Sequence, residues 1–261
     1  MSYLMESPRE AERLRAQARA TPARERLQRC GLRHGMRAVD VGCGSGAVTR
    51  ELVDLVGPSG QVVALDPSPE RLGAARELLW GLPGVELMAG ALPDTKLPAA
   101  SFDFVWSQFV LEYLREPAAA VRELVRLARP GGRVAVAEID GFGLATWPTP
   151  PAVEQGTRPF LEALASTGFD LNVGRKLFTL FRQAGLREVK VHLSSFHVTA
   201  GAADAQLLDD WRTRFEALAP VARPAFGGGR AYDEFCAAYL ALLADPDALK
   251  YSVILTTEGT R

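Results

Sequence analysis

Residues 39–46, Val-Asp-Val-Gly-Cys-Gly-Ser-Gly, carry the residue types that a ligand-binding loop needs. Asp40 ends an apolar run, and its carboxylate can accept hydrogen bonds from an ammonium group or its bound water. Three glycines at alternate positions remove side chains that would collide with a ligand. The pattern predicts a strand-to-helix loop for a nucleotide-like ligand, and an ordinary tight turn is the alternative. The predicted contacts in this loop are Asp40, Gly42, Cys43, Gly44 and Gly46.

A second acidic residue supports the ligand-binding interpretation. Asp66 follows Gly46 by twenty residues and ends the run Val-Val-Ala-Leu-Asp. A carboxylate at this position can accept both hydroxyls of a ribose when its strand lies beside the first strand. The sequence therefore adds Asp66 and the following Pro67 to the predicted contacts, with a turn aspartate as the alternative.

Short apolar runs alternate with helical segments from Met36 onward, with glycine or proline between them. The alternation predicts a doubly wound α/β fold, with a mostly parallel sheet and helices on both faces. Strands are expected at AVDV, QVVALD, VELMA, FDFVWS, RVAVAEI, REVKVHL and KYSVILTT. The helices between them are expected over residues 47–56, 68–80, 117–129 and 174–185.

The two ends of this pattern differ from its centre. Ser7-Pro8-Arg9-Glu10 resembles a capping box, which predicts a helix over residues 8–20, and a second short helix is expected over 23–30. After Ile139 the alternation stops. Further helices are expected over residues 160–167, 204–219 and 231–244, and we expect them to form a cap above the sheet.

Four segments together resemble a known family. VDVGCGSG, VVALD, ASFDFVWSQFVLEYL and the PGG turn before RVAVAE are similar to class I S-adenosylmethionine (SAM)-dependent methyltransferases, in the bacterial small-molecule subgroup of ubiquinone/menaquinone type. The resemblance covers Met36 to Ile139, and it continues more weakly through GRKLFTLFRQAGL and the final strand. It implies a seven-stranded Rossmann-like sheet with an antiparallel last strand, SAM as methyl donor and S-adenosylhomocysteine as product.

The resemblance also implies roles for individual residues. The glycine loop would contact the methionine and ribose portions of SAM, and Asp66 the ribose. Ala91 and Leu92 would lie beside the adenine, and Ser107 and Gln108 would border the methionine portion. The chain departs from the family where Gly90 is followed by Ala91, because many relatives carry an aspartate there. Backbone atoms or Asp94 would then have to accept from the adenine amino group.

Two other functions stay open. The spacing Gly42-x-Gly44-x-x-Ala47 also fits a nicotinamide-dependent oxidoreductase, although that fingerprint requires neither Asp40 before the loop nor the FDFVWS and PGG segments. A protein on the same fold could also retain SAM only as a structural or electrostatic element and promote a cyclisation.

Methyl transfer from a sulfonium is an in-line displacement, so the protein mainly aligns a nucleophile and excludes water. A hydroxyl or acidic carbon acceptor also needs a base, whereas an amine must be presented neutral. The predicted catalytic candidates are His197, just beyond the sixth strand, and Glu112, Tyr113 and Asp140, with Glu138 as a further candidate near them. Each of these side chains could equally be structural.

Aromatic residues are numerous in the predicted cap, including Trp211, Phe215, Phe235 and Tyr239. At helical spacing they are expected mostly to hold the cap together. An acceptor pocket beneath them would be mainly apolar, which favours a small hydrophobic or aromatic metabolite of specialised metabolism. Whether oxygen, nitrogen or carbon is methylated stays open.

The bulk properties exclude several partners. Lys and Arg total 30 against 31 Asp and Glu, so a net charge of −1 gives no bulk attraction to nucleic acid or anionic lipid. Three cysteines and three histidines match no zinc spacing, so no metal is expected. Without an apolar span or signal peptide, we expect a cytoplasmic protein with no membrane partner, and a homodimer stays open.

The predicted organisation has six parts. Residues 1–35 are expected to form an N-terminal helical lid, in which Tyr3 and Met5 would close over SAM, with a disordered N-terminus as the alternative. Residues 36–145 are expected to form the SAM-binding core. The remaining parts are a cap insertion over 146–173, a continuation of the core over 174–199, a helical cap over 200–248 and the last core strand over 249–261.

Overall fold

The structure, a computed structural model, describes residues 23–261, apart from the side chains of residues 142–144. The predicted helix over 8–20 and the predicted lid contacts Tyr3 and Met5 lie outside these residues. The described helices are α1 (Arg24–Arg29), α2 (Ala47–Val56), α3 (Pro69–Leu78), α4 (Pro117–Leu127), α5 (Pro151–Ser166), α6 (Leu177–Gln183), α7 (Ala205–Ala225) and α8 (Gly229–Ala244). The strands are β1 (Arg37–Val41), β2 (Gln61–Asp66), β3 (Val85–Ala89), β4 (Phe102–Gln108), β5 (Ala128–Trp147), β6 (Arg187–Ala200) and β7 (Leu249–Thr260).

The strands form one seven-stranded sheet in the order β3-β2-β1-β4-β5-β7-β6. The pairs β1–β2, β1–β4, β2–β3 and β4–β5 are parallel. The doubly wound, mostly parallel α/β fold expected from the sequence is therefore confirmed. Because the order reverses between β1 and β4, the carboxyl ends of these strands open a crevice of the kind in which such sheets bind ligands.

The last strand runs against its neighbour. The Gly131 N–H donates to the Arg261 carbonyl, and the Arg261 N–H donates to the Gly132 carbonyl, both at 3.0 Å. The end of β7 thus lies beside the start of β5, which is possible only when the two strands are antiparallel.

Local signals explain why α3 begins where it does. Ser68 accepts a hydrogen bond from the Arg71 N–H at 3.3 Å, and Pro69 occupies the first helical turn, where its missing N–H costs nothing. The helix ends at Leu78, two residues before the predicted end at residue 80.

The chain divides into two compact units. The first contains the described residues up to Glu138, with Gly174–His192 and Leu255–Arg261, and the second contains Ile139–Val173 and Leu193–Ile254. In the second unit, α5, α7 and α8 pack together. Across the described residues, the helices are all too short or too polar to span a bilayer.

Three predicted boundaries in the second unit were wrong. Helix α5 begins at Pro151 rather than residue 160 and continues through Pro159, because buried Val153 and Phe160 pack on either side of that proline. Helix α7 likewise continues beyond residue 219 through two prolines. Strand β6 extends to Ala200, so His197 lies within the strand and not beyond it.

Candidate functional site

The glycine loop is fixed to the end of β2. The Gly42 and Cys43 N–H groups both donate to the Leu65 carbonyl at 2.8 Å, and the Gly44 N–H donates to Asp66 Oδ2 at 3.0 Å. Asp66 Oδ1 accepts from the Ser68 N–H at 2.9 Å. Asp66 therefore orders the loop, while each of its oxygens keeps a lone pair with which to accept a ligand hydroxyl.

Asp40 lies buried on β1, one residue before the strand ends. Its Oδ2 accepts from the Thr49 hydroxyl at 2.7 Å, a contact in the first turn of α2 that the sequence pattern did not reveal. Burial raises the pKa of Asp40 to about 7, the Thr49 hydrogen bond opposes this, and the Asp66 charge adds to it. A cationic group on a ligand would restore the ionised form, because an opposite charge stabilises a carboxylate.

The glycines at both ends of the loop are explained by the protein itself. Gly42 has a φ of +83°, and an added Cβ would lie 2.2 Å from Val110 Cγ2. Gly46 is the N-cap of α2 with a φ of +84°, and an added Cβ would lie 3.1 Å from Ala75 Cβ. Collision with a ligand, the reason expected from the sequence, is not needed at either position.

Cys43 differs in character from the rest of the loop. Its side chain is buried in a cluster with Ala64 and Leu72, and burial raises the pKa of its thiol. Any contact of Cys43 with a ligand would therefore use its backbone. Pro67, also predicted as a contact, is exposed beside Asp66.

The segment after β3 forms a small turn. Ala91 is exposed and pairs with Asp94, whose N–H donates to the Ala91 carbonyl at 3.1 Å. Leu92 is buried. The Asp94 carboxylate lies 2.5 Å from Lys96 Nζ in an exposed ion pair, so its charge is already partly compensated.

The end of β4 holds two further predicted contacts. Ser107 is buried, and its hydroxyl donates to the Val41 carbonyl at 2.8 Å, which joins the ends of β4 and β1. Gln108 Oε1 accepts from Arg26 Nη2 at 3.1 Å. Sequence reasoning missed Arg26, a buried cation on α1 that lies 82 positions from its partner.

A buried acidic pair lies behind the turn after β4. Glu138, at the boundary of the first unit on β5, accepts through Oε1 from the Val110 and Leu111 N–H groups at 2.9 and 2.7 Å. Its Oε2 is buried with no hydrogen-bond partner within residues 23–261. Burial, followed by the charge of buried Glu112, raises the pKa of Glu138. The structure thus brings Glu112 and Glu138 together, and Val110 connects them to Gly42.

The remaining catalytic candidates are distributed over both units. Tyr113 ends a 3₁₀ turn over Leu111–Tyr113 in the first unit and is half-buried. Asp140 is a half-buried residue on the part of β5 that belongs to the second unit. His197, also in the second unit, is exposed, and its ring lies 3.8 Å from that of Phe196.

Comparisons with known proteins agree with this geometry. A family model described as a methyltransferase domain matches residues 39–136. An uncharacterized 37.1 kDa protein in transposon TN4556 of Streptomyces fradiae is 32% identical over 207 residues, which cover 78% of this chain and 59% of that protein. Demethylmenaquinone methyltransferase of Staphylococcus carnosus is 28% identical over 178 residues, 61% of this chain and 71% of the relative.

Solved structures share the fold at low identity. A SAM-dependent methyltransferase from Aquifex aeolicus has a TM-score of 0.57 and 18% identity, over 97% of this chain and 98% of that one. A putative methyltransferase from Bacillus halodurans has a TM-score of 0.61 and 16% identity, over 92% and 98%.

The sheet order defines a doubly wound protein, and the acidic glycine loop lies at its switch point, the place at which sheets of this kind bind ligands. Residues 39–136, which contain this loop, match the methyltransferase-domain family, and the fold is the one that the solved methyltransferases share. The chain spans 59% of the Streptomyces protein that it matches.

Proposed function

We propose that this protein transfers a methyl group from SAM to a small-molecule acceptor. The observation that carries the proposal is the pair of buried carboxylates, Asp40 and Asp66, at the carboxyl ends of β1 and β2 around the glycine loop. The match of residues 39–136 to the methyltransferase domain supports it independently.

The residues at this edge would divide the recognition of SAM between them. Asp40 would accept from the ammonium group of the methionine portion, and Asp66 from the ribose hydroxyls. The backbone of the Ala91–Asp94 turn would meet the adenine. Arg26 and Gln108 would border the methionine carboxylate, for which a buried guanidinium is a suitable partner.

When bound, SAM supplies an activated methyl group, so the protein's own task is alignment and exclusion of water. An acceptor hydroxyl or carbon would lose its proton to a base. Glu112, Tyr113, Asp140 and His197 remain the proposed bases. Glu138 is better suited to a structural role. Burial and the charge of Glu112 favour its protonated form, and its Oε1 holds the turn after β4 by accepting from the Val110 and Leu111 N–H groups.

The aromatic residues of the second unit pack mainly against one another, so they do not indicate which acceptor is bound. The acceptor class is therefore proposed from the relatives. Demethylmenaquinone methyltransferases from Staphylococcus favour a quinone-like acceptor. A flat, apolar metabolite is therefore the proposed substrate, and cytoplasmic location and a homodimer are proposed with it.

Binding tests the first part of the proposal. Calorimetric titration with SAM and S-adenosylhomocysteine should give one site per chain, and Asp66→Asn should weaken it by roughly tenfold to a hundredfold. Asp54→Asn, on the exposed face of α2, is the matched control and should bind as the wild type does. Binding of NADH without SAM would overturn the proposal in favour of an oxidoreductase.

Turnover tests the second part. Incubation with SAM and a panel of naphthoquinols, catechols and aromatic amines should yield a product heavier by one CH₂ together with S-adenosylhomocysteine. SAM binding with a product isomeric to its substrate would instead indicate a cyclase or isomerase on the same fold.

A further inference from the structure

Three side chains with different metal-ligating atoms meet in the first unit. Cys30 follows α1, His192 lies on β6 and Glu258 lies on β7, and their ligand atoms all lie within 4.8 Å of one another. His192 Nε2 and Glu258 Oε1 are 2.8 Å apart. Cys30 and Glu258 are buried, whereas the His192 side chain is 20% exposed, which leaves a path from solvent.

We propose that Cys30, His192 and Glu258 bind one zinc ion. A thiolate, an imidazole and a carboxylate are the ligands that zinc takes in proteins, at roughly 2.0–2.3 Å each. Ligand atoms around such an ion lie roughly 3–4 Å apart, so side-chain movements of a fraction of an ångström to about an ångström would complete the site. Three protein ligands leave the fourth position to water, which can enter beside His192, whose side chain is partly exposed.

The surrounding charges suit a divalent ion. The Cys30 thiolate and the Glu258 carboxylate would neutralise it. Arg133 Nη2 holds the other oxygen of Glu258 at 2.8 Å, which orients Oε1 toward His192 as an outer partner orients a ligand. The guanidinium charge is itself partly offset by Glu188, whose Oε2 lies 3.8 Å from Arg133 Nη1.

The site lies near the amino ends of the parallel strands, whereas the glycine loop lies at their carboxyl ends. Arg133, near the start of β5, donates to the Cys30 carbonyl at 3.3 Å as well as to Glu258. The parallel strands begin at this edge, and the glycine loop follows the carboxyl end of β1. The zinc ion would therefore link the residue that follows α1 to β6 and β7 through three protein ligands, independently of the proposed methyl transfer.

Metal titration of the whole chain tests the proposal. After removal of metals with a chelator, Zn²⁺ should bind with a stoichiometry of one, raise the melting temperature by several degrees and release a proton. The proton comes from Cys30, because burial raises the pKa of its thiol to about 12. Co²⁺ should produce a thiolate-to-metal absorption band.

Two variants and a control decide the assignment. Cys30→Ser should abolish the Co²⁺ band and weaken Zn²⁺ at least tenfold, and His192→Gln, at a partly exposed position, should weaken Zn²⁺ to a similar extent. Cys236→Ser, at the half-buried cysteine of the second unit, should keep both signals. Failure of the wild type to bind Zn²⁺, or equal Zn²⁺ affinity in His192→Gln and wild type, would overturn the proposal. SAM titration of the same samples tests the proposed function independently of zinc. Where a variant binds SAM as the wild type does, its loss of Zn²⁺ binding is not due to unfolding.

Discussion

Asp40 is the residue whose protonation should control the ligand site. Burial raises its pKa to about 7, so the carboxyl of the free protein holds its proton below that pH. An ammonium group on a ligand binds the ionised form, and below about pH 7 the proton must first be released. The affinity for S-adenosylhomocysteine should therefore fall by up to about tenfold per pH unit as the pH drops below about 7.

Calorimetry between about pH 5.5 and 8.5 would measure this slope. In Asp40→Asn the slope should disappear, and the affinity at the alkaline end should be lower by roughly tenfold to a hundredfold. Asp54→Asn should keep the wild-type slope. An unchanged slope in Asp40→Asn would assign the titration to another group.

Glu138 offers a second residue-scale prediction. Its Oε1 satisfies the Val110 and Leu111 N–H groups, and burial with Glu112 nearby raises its pKa. Because glutamine matches the neutral form, Glu138→Gln should cost less than about 1 kcal/mol in the free energy of unfolding at pH 7. Glu138→Ala leaves the part-buried Val110 N–H and the buried Leu111 N–H without this acceptor and should cost about 2–4 kcal/mol. Urea denaturation would compare them, and equal losses would show that the ionised form is the one required.

At the element scale, the junction of β1 with α2 depends on Gly42. Alanine there must adopt a φ of +83°, and its Cβ would lie 2.2 Å from Val110 Cγ2. Gly42→Ala should therefore lower the free energy of unfolding by about 3 kcal/mol or more and reduce SAM affinity over tenfold. Urea denaturation and calorimetry would measure the two effects.

Two companion variants separate the causes. In the double variant Gly42→Ala/Val110→Ala the collision is removed. Its free energy of unfolding should therefore be lower than that of Val110→Ala alone by only about 1–2 kcal/mol, the cost of backbone strain. Gly73→Ala, inside α3 with no atom within 4 Å of the new methyl, should stabilise the protein by up to about 1 kcal/mol. A Gly42→Ala variant as stable as the wild type would refute the packing argument.

At the scale of the whole molecule, we expect packing in the second unit to contribute to stability but not to SAM affinity. Phe215 is buried in the second unit, with ring centroids 5.3 Å from Trp211 and 5.6 Å from Tyr239. Phe215→Ala should lower the free energy of unfolding by about 3–5 kcal/mol. Below its melting temperature it should bind SAM within about twofold of wild type, because Asp40 and Asp66 belong to the first unit.

Trp147→Ala is the matched control, because this side chain is 76% exposed and its loss should change stability by under about 0.5 kcal/mol. Thermal denaturation and calorimetry at one temperature would measure both quantities. A tenfold loss of SAM affinity in folded Phe215→Ala would show that the second unit shapes the cofactor site.

The sequence by itself determined what depends on neighbouring residues along the chain. The glycine loop and strands β1 to β4 follow from short apolar runs bounded by glycine or proline, and the strand bounds agree closely with the structure. It also placed Asp40 and Asp66 together, because parallel neighbouring strands end at one edge of a sheet. The division into lid, core and cap stays a prediction.

Tertiary structure alone decided the contacts between distant segments. Sequence spacing carries no information on Arg26 meeting Gln108 across 82 positions, or on Glu258 meeting His192 across 66. Such contacts arise from strand order and register, which the packing of the whole sheet selects. Packing also decides the length of α5. Local preference would place Pro159 at the start of a helix, but the burial of side chains on either side of it outweighs one missing hydrogen bond, so the helix continues through the proline.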